Sequence, residues 1–228
     1  MMGELLRIEE IPLRIEEEKV LRYQGYLRGE KPSPFVERLV RQGIERVLTL
    51  AEPRALVREF EIEEISEEDI LLADGSLLKG ANIRGAWHGA EGLFLGLCTI
   101  GGAPEAEVRE LFAQGEYAEG MMLDSAASTA VSAAVDYLDG LLCREAAARG
   151  LPLGVRLSPG YGTWKVTEQG TVFRLLPGEE IGVSLNDSFM MSPEKSISFG
   201  VGFGPGLEEG ARRGRCFYCG MESCPYRR

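Results

Sequence analysis

The stretch from Met121 to Arg149 constrains the fold of this chain more than any other segment. It is rich in alanine, leucine and valine and contains no proline. Alanine and leucine are strong helix formers, so the stretch predicts one long helix. Because so much of its surface is apolar, we expect this helix to pack in the centre of the protein.

Small polar residues interrupt the predicted helix at successive i+4 positions, namely Asp124, Ser128, Ser132 and Asp136. Residues spaced in this way lie on one face of a helix, so they form a polar stripe bounded by two carboxylates. The stripe has two interpretations. It lines a ligand cleft, or its small residues let the helix lie close to a sheet while the two acids face solvent.

Segments on both sides of this helix indicate a sheet. Residues 57–65 alternate apolar and acidic side chains, the pattern of a strand with one face in water. Residues 92–101 are almost wholly apolar, as expected for a central strand that is covered on both faces. Further strands are predicted at 171–176, 181–185 and 196–203.

Two more helices are predicted before the long one. The first starts with a capping Ser33 and a proline at position 34, and it should end near Ala51. The second covers residues 104–113. The first thirty residues contain short alternating stretches, which indicate strands or an arm, at 5–8, 11–14 and 20–23.

Together these elements predict an α+β fold in a single domain. We expect a twisted, mainly antiparallel sheet, the long central Ala-rich helix and further helices. We assign residues 1–210 to this domain, with residues 1–30 as an N-terminal arm, and residues 211–228 to a cysteine-rich tail.

The formal net charge of -11 argues against a nucleic-acid partner, because proteins that bind phosphate backbones concentrate lysine and arginine on one surface. An acidic surface suits a cationic ligand or a basic partner protein, or it simply keeps the protein soluble. The chain has no apolar run of membrane-spanning length, and its start lacks the layout of a secretory signal. We therefore expect no membrane association and a cytoplasmic location.

Residues 156–164 place an arginine, a glycine turn and two aromatic rings close together, as Arg156, Gly160, Tyr161 and Trp164. Arginine can bind a carboxylate through two parallel hydrogen bonds. An aromatic ring can stack on a purine or attract a sulfonium cation. S-adenosylmethionine carries all three groups, although a surface turn with a structural arginine would give the same pattern.

A second block, residues 182–198, predicts a strand, a loop with a Pro-Glu turn and another strand. Its loop contains Phe189, Met190 and Met191. Methionine fills irregular gaps in cores, and the same softness suits a surface that meets a large macrocycle. Both interpretations stay open.

Taken together, the two blocks resemble the C-terminal reactivation domain of cobalamin-dependent methionine synthase. The resemblance is carried by the spacing of Arg156 to Gly160-Tyr161 and by the downstream segment Leu-Asn-Asp-Ser-Phe-Met-Met-Ser-Pro, with a long helix ahead of both. It covers residues 85–205. The whole chain, with its cysteine-rich tail, is similar to free-standing relatives of that domain.

In that family the domain binds S-adenosylmethionine and stacks over the corrinoid domain while inactive cob(II)alamin is reduced and remethylated. The resemblance implies an accessory protein of methionine biosynthesis that has no complete catalytic cycle of its own. Its partner would be a corrinoid-binding methionine synthase or related corrinoid methyltransferase, which would hold the cobalamin. A separate electron donor would be a further partner.

Carried over by position, Arg156 would hold the ligand carboxylate, Gly160 and Tyr161 would shape the adenosyl pocket, and the backbone at Ser158 and Pro159 would donate or accept hydrogen bonds. The family also uses acids of its long helix near the charged end of the ligand. Here Asp124 or Asp136 would take that role, and Phe189, Met190 and Met191 would face the corrinoid.

The chain departs from the family pattern at two positions. Ser132 occupies a position where the synthase has a glutamate, and residues 162–165 replace a proline-rich stretch. Both departures weaken the case for S-adenosylmethionine. They leave the corrinoid-facing role intact, since docking depends on the shape of a surface.

The tail carries three thiols, at Cys216, Cys219 and Cys224, which are separated by two and by four residues. They can converge on one soft metal or on an iron-sulfur cluster. A structural zinc would need a fourth ligand, for which Cys98, Cys143, His88 or a partner are available. A redox-active thiol pair and an inert tail are the other interpretations.

Two rival functions follow from the same sequence. One is a metal- or iron-sulfur-binding scaffold or redox partner that does not bind S-adenosylmethionine. The other is a self-contained methyltransferase, which the absence of a glycine-rich nucleotide loop after a first strand disfavours.

Overall fold

The computed structural model describes residues 3–27 and 29–207. The helices in this part of the chain are α1 (Glu17–Tyr23), α2 (Pro34–Leu50), α3 (Ala103–Gln114), α4 (Tyr117–Ala148) and α5 (Gln169–Leu175). Its strands are β1 (Leu5–Ile8), β2 (Arg54–Ile65), β3 (Ile70–Leu72), β4 (Leu77–Leu78), β5 (Gly92–Thr99), β6 (Ser184–Leu185), β7 (Met191–Ser192) and β8 (Ser196–Phe203).

The main sheet has the strand order β4-β3-β2-β5-β8, and β1 pairs with the first half of β2. Its pairings are antiparallel, while β6 and β7 form a separate hairpin. The expected α+β fold with an antiparallel sheet is confirmed.

Strand β5 lies between β2 and β8, and each of its residues is buried. Two glycines explain how it packs against β8. A Cβ atom at Gly92 or Gly96 would collide with the ring of Phe203 or Phe199, respectively. The two phenylalanines of β8 therefore lie directly over the backbone of β5.

The sheet has an apolar cluster on each face. On one face, the tryptophan cluster joins Leu93, Leu95 and Leu97 of β5 to Trp87 and Trp164. On the other face, α4 packs on Phe94 and on the phenylalanines of β8. Helices α1, α2 and α3 cover the outer side of α4. The long helix is thus central, as the sequence predicts.

Most of the predicted elements are confirmed, with small shifts of their ends. Helix α2 agrees with the predicted start, and Ser33 caps it by accepting a hydrogen bond from the backbone of Val36 at 3.3 Å. Strand β2 begins at Arg54, three residues earlier than expected. Residues 55–57 are all buried, because Leu56 packs in one cluster and Ala55 and Val57 pack in the other. The start of the strand therefore lacks the alternation of apolar and polar residues that marks a strand with one face in water.

Three predictions were wrong in whole or in part. Residues 171–176 lie mainly in α5, because Thr171, Val172 and Leu175 are buried at helical spacing. The predicted strand 181–185 is a 3-10 turn at Gly178–Ile181 followed by the two-residue β6. Residues 20–23 form the end of α1, whose Val20 is buried against α2 and α4.

Candidate functional site

Arg156 is placed by an extended segment that runs beside β8. The backbone N–H of Leu157 donates to the carbonyl of Gly200 at 3.0 Å, and the N–H of Gly200 donates back at 2.8 Å. Side chains alternate along an extended chain, so Val155 and Leu157 enter the tryptophan cluster. The side chain of Arg156 points instead towards α4.

The guanidinium of Arg156 meets a carboxylate of the polar stripe. Its Nη2 donates to Oδ1 of Asp136 at 2.8 Å. The Arg156 side chain is 6% exposed and that of Asp136 is 43% exposed. Lys19 of α1 lies on the other side of the carboxylate, with its Nζ 4.0 Å from Oδ2.

A second cation meets the other end of the stripe. The Nζ of Lys195, at the start of β8, lies 2.7 Å from Oδ1 of Asp124 and donates to Oγ of Ser128 at 3.0 Å. Lys195 is 12% exposed and Asp124 is 48% exposed. Each acid of the stripe is therefore half exposed to water and bonded to a cation from the sheet side that is 6% or 12% exposed.

The glycine turn after Arg156 is tightly organised. The N–H of Tyr161 donates to the carbonyl of Ser158 at 3.1 Å, and that of Gly160 donates to the carbonyl of Trp164 at 2.7 Å. Gly160 has a φ of 99°, a backbone conformation that favours glycine. Pro159 is buried, and Tyr161 packs half-buried against the tryptophan cluster.

Of the two aromatic rings in this turn, only Tyr161 is available to a ligand. Trp164 is fully buried and meets Trp87 edge to face, with ring centroids 5.9 Å apart. The expectation that Trp164 offers a second stacking surface was wrong, because its ring is part of the core. The sequence carries no signal for this difference, since both rings lie within a few residues of each other in the same glycine-containing segment.

The loop between β6 and β7 is organised by Asn186. Its Oδ1 accepts hydrogen bonds from the backbone N–H groups of Ser188 and Met190, both at 2.9 Å. Phe189 has a φ of 59°, and its ring packs against Gly170 of α5. Sequence reasoning missed Asn186, although asparagine commonly bonds to the backbone two residues ahead in turns.

The two methionines of this loop have different environments. Met190 is 55% exposed, whereas Met191 is partly buried against the tryptophan cluster. Met191 therefore fits the core-filling interpretation, and Met190 is the residue that a partner surface would meet. Tyr161 contacts the same cluster as Met191.

Lys195 is the second residue that sequence reasoning missed. A lysine next to a Pro-Glu turn normally stays in solvent. Its burial depends on α4 lying alongside the start of β8, and no local sequence pattern encodes that arrangement.

The predicted metal ligands Cys216, Cys219 and Cys224 lie outside the described residues. Within residues 3–27 and 29–207, no group of three or more histidine, cysteine or acidic side chains is arranged to hold a metal ion. Burial raises the pKa of the Cys98 thiol to about 12, and the nearby charge of Arg156 opposes this only in part.

His88 and Cys143 are the other residues of this chain that were considered as a fourth ligand. His88 is exposed, and Cys143 is partly buried. In the same described part of the chain, no helix has both the length and the apolar character needed to cross a membrane.

Residues 145–205 match the family model for the vitamin B12 dependent methionine synthase, activation domain. This segment contains Arg156, the glycine turn and the methionine loop. Among solved structures, the chain is similar to the MetH reactivation domain bound to AdoHcy, with 17% sequence identity and a TM-score of 0.64. That similarity covers 91% of this chain and 80% of the other.

A search of curated proteins gives no match. The family match and the shared fold nevertheless agree with the resemblance inferred from residues 156–161 and 185–193. Residues 145–205 are therefore related by sequence to the activation domain of vitamin B12-dependent methionine synthase, and most of the chain is similar in fold to the MetH reactivation domain.

Proposed function

We propose that this chain is an accessory module that binds S-adenosylmethionine and docks on a cobalamin-dependent methionine synthase or a related corrinoid protein. The observation that carries the proposal is the buried Arg156, which lies in the matched segment with its guanidinium against a carboxylate. A guanidinium held in this way is oriented for a carboxylate partner. The AdoHcy in the similar reactivation domain supports a ligand of the same class here.

The ligand would lie between the glycine turn and the polar stripe. Arg156 would bind its carboxylate, the backbone of Ser158 and Pro159 would supply hydrogen bonds, and Gly160 and Tyr161 would border the adenosyl group. The half-exposed carboxylate of Asp124 is suited to the cationic end of the ligand.

The corrinoid would approach over the methionine loop. Met190 is the exposed member of its three apolar residues, and Asn186 holds the loop backbone in one conformation. A soft, exposed thioether on a rigid loop suits contact with a large apolar macrocycle. The corrinoid itself would be held by the partner.

The supported reaction would consume one electron and one methyl group. An electron from a separate donor reduces Co(II) to Co(I), whose electron pair forms a bond to the methyl carbon of S-adenosylmethionine. The carbon–sulfur bond breaks and its electron pair stays on sulfur, which yields methylcobalamin and S-adenosylhomocysteine (AdoHcy). This chain would position the methyl donor.

Calorimetry tests the proposal. The full chain is titrated with S-adenosylmethionine and AdoHcy, alone and with a cobalamin-loaded methionine synthase. We expect binding of both ligands and tighter binding when the corrinoid protein is present. The absence of any binding heat, with and without that partner, would contradict the proposal.

A further inference from the structure

The two members of the ion pair between Arg156 and Asp136 differ in their exposure to water. The guanidinium is 6% exposed, and the next residue, Leu157, is bonded to Gly200 of β8 through both its N–H and its carbonyl. Asp136 is 43% exposed. A carboxylate that leaves a partner can be stabilised by water, whereas a buried guanidinium cannot. Asp136 is thus the exchangeable member of the pair.

A second cation lies next to the same carboxylate. The Nζ of Lys19 is 4.0 Å from Oδ2 of Asp136 and 2.8 Å from Oε1 of Glu16. Lys19 is 26% exposed and belongs to α1, which packs on α4. A small rotation of the Asp136 side chain would therefore exchange one cationic partner for another, with little loss of Coulomb attraction.

We propose that Asp136 competes with a ligand carboxylate for Arg156, and that Lys19 receives Asp136 when the ligand displaces it. The inference rests on the proposed function, because its ligand is a nucleoside that carries an amino acid. It gives Asp136 a role different from ligand contact: this carboxylate substitutes for that of the ligand and lowers the ligand's affinity. Because Lys19 belongs to α1, the inference also links ligand binding at Arg156 to the position of α1.

Calorimetry on the full chain separates this competition from general effects of charge. The variants are Asp136→Asn and Lys19→Met, and the ligands are AdoHcy and 5′-methylthioadenosine, a thioether nucleoside without the amino acid. Glu145→Gln is the matched control for Asp136→Asn, since it removes an exposed negative charge from the same helix. Lys31→Met is the control for Lys19→Met, since Lys31 is exposed.

Asp136→Asn should bind AdoHcy about three- to tenfold more tightly, because a half-exposed ion pair no longer competes. Lys19→Met should bind it about threefold more weakly, because the displaced carboxylate loses its second cation. The affinity for 5′-methylthioadenosine should stay the same in both variants, and the two controls should match the wild type with both ligands.

Weaker binding of AdoHcy by Asp136→Asn would overturn the inference, because it would make Asp136 a direct ligand contact. Unchanged affinity would overturn it as well, while leaving the proposed function intact. Tighter binding by Asp136→Asn with no effect of Lys19→Met would support the competition and reject the role of Lys19. A complete lack of AdoHcy binding by the wild type and by both variants would instead remove the proposed function.

Discussion

Lys195 and Asp124 join the chain just after the β6–β7 hairpin, which carries the methionine loop, to the long helix, with Nζ of the lysine 2.7 Å from Oδ1 of the aspartate. Lys195 follows directly after the Pro-Glu turn and donates a second bond to Ser128. One largely buried ammonium group thus bonds to two residues of α4 from the segment that follows the hairpin.

Replacing Lys195 by methionine should loosen this connection. We expect the free energy of unfolding to fall by about 1 kcal/mol, since the pair is partly buried but Asp124 can be hydrated. Urea unfolding measures this loss, with Lys31→Met as an exposed control. Under the proposed function, binding to a corrinoid protein should weaken; unchanged binding to that protein would contradict a role of Lys195 in positioning the methionine loop.

Arg156→Lys should weaken AdoHcy binding about ten- to a hundredfold, because lysine cannot form two parallel hydrogen bonds with a carboxylate. Calorimetry measures the affinity, and a thermal unfolding curve shows whether the variant is folded. Arg149→Lys is the matched control, because Arg149 bonds to Glu59 and Glu145 at the exposed end of α4. Equal affinities of the Arg156 and Arg149 variants would argue against Arg156 as the carboxylate ligand.

Two glycine-to-alanine substitutions should have opposite effects on stability. Gly96→Ala would drive a methyl group into the ring of Phe199, so we expect a loss of about 1–3 kcal/mol or more. Gly140→Ala lies inside α4, where the added Cβ would have only ordinary contact with Arg144, and should stabilise by about 0.5–1 kcal/mol. Urea unfolding of the two variants measures both changes in the free energy of unfolding.

Stability should fall at alkaline pH through Cys98. Its pKa is raised by burial from 9.0 to about 12, so the thiol keeps its proton in the folded state at pH values where the unfolded chain loses it. The contribution is constant below pH 9 and is lost as the pH rises towards 12, by up to about 1.4 kcal/mol per pH unit.

Comparison with Cys98→Ala isolates this contribution from that of other titrating groups. Urea unfolding at several pH values between 7 and 11 should give a difference between wild type and variant that is constant up to pH 9 and then shrinks. A difference that stays constant over the whole range would contradict the buried-thiol explanation.

The spacing of the three tail thiols predicts that they bind a metal or an iron-sulfur cluster. Anaerobic purification followed by iron, sulfide and zinc analysis tests this expectation. Cys219→Ser should lose most of the bound metal, whereas Ser223→Ala, which changes a tail residue that is not one of the three thiols, should retain it. Metal-free wild-type protein would reject the prediction.

The elements that could be predicted from sequence are those whose pattern is local. The apolar run of β5 and the proline-free α4 each bury enough surface to be recognised on their own. Helix α5 could not be predicted, because seven residues with mixed spacing fit a strand equally well.

The types of residue at the candidate site could be predicted from the sequence, but the contacts between those residues could not. Arg156 and Asp136 are twenty residues apart, and their contact arises only because the chain after α4 returns along β8. The same path of the chain buries Trp164 and leaves Tyr161 at the surface of the tryptophan cluster. Such partners depend on the tertiary fold, which spacing in the sequence does not encode.

Trp87 and Trp164 are the two tryptophans of the chain, and their rings lie in one buried pair beside the glycine turn. Intrinsic fluorescence of this protein therefore reports on a single location, with no background from indoles elsewhere. An optical titration could follow events at Tyr161 and its neighbours without any attached dye.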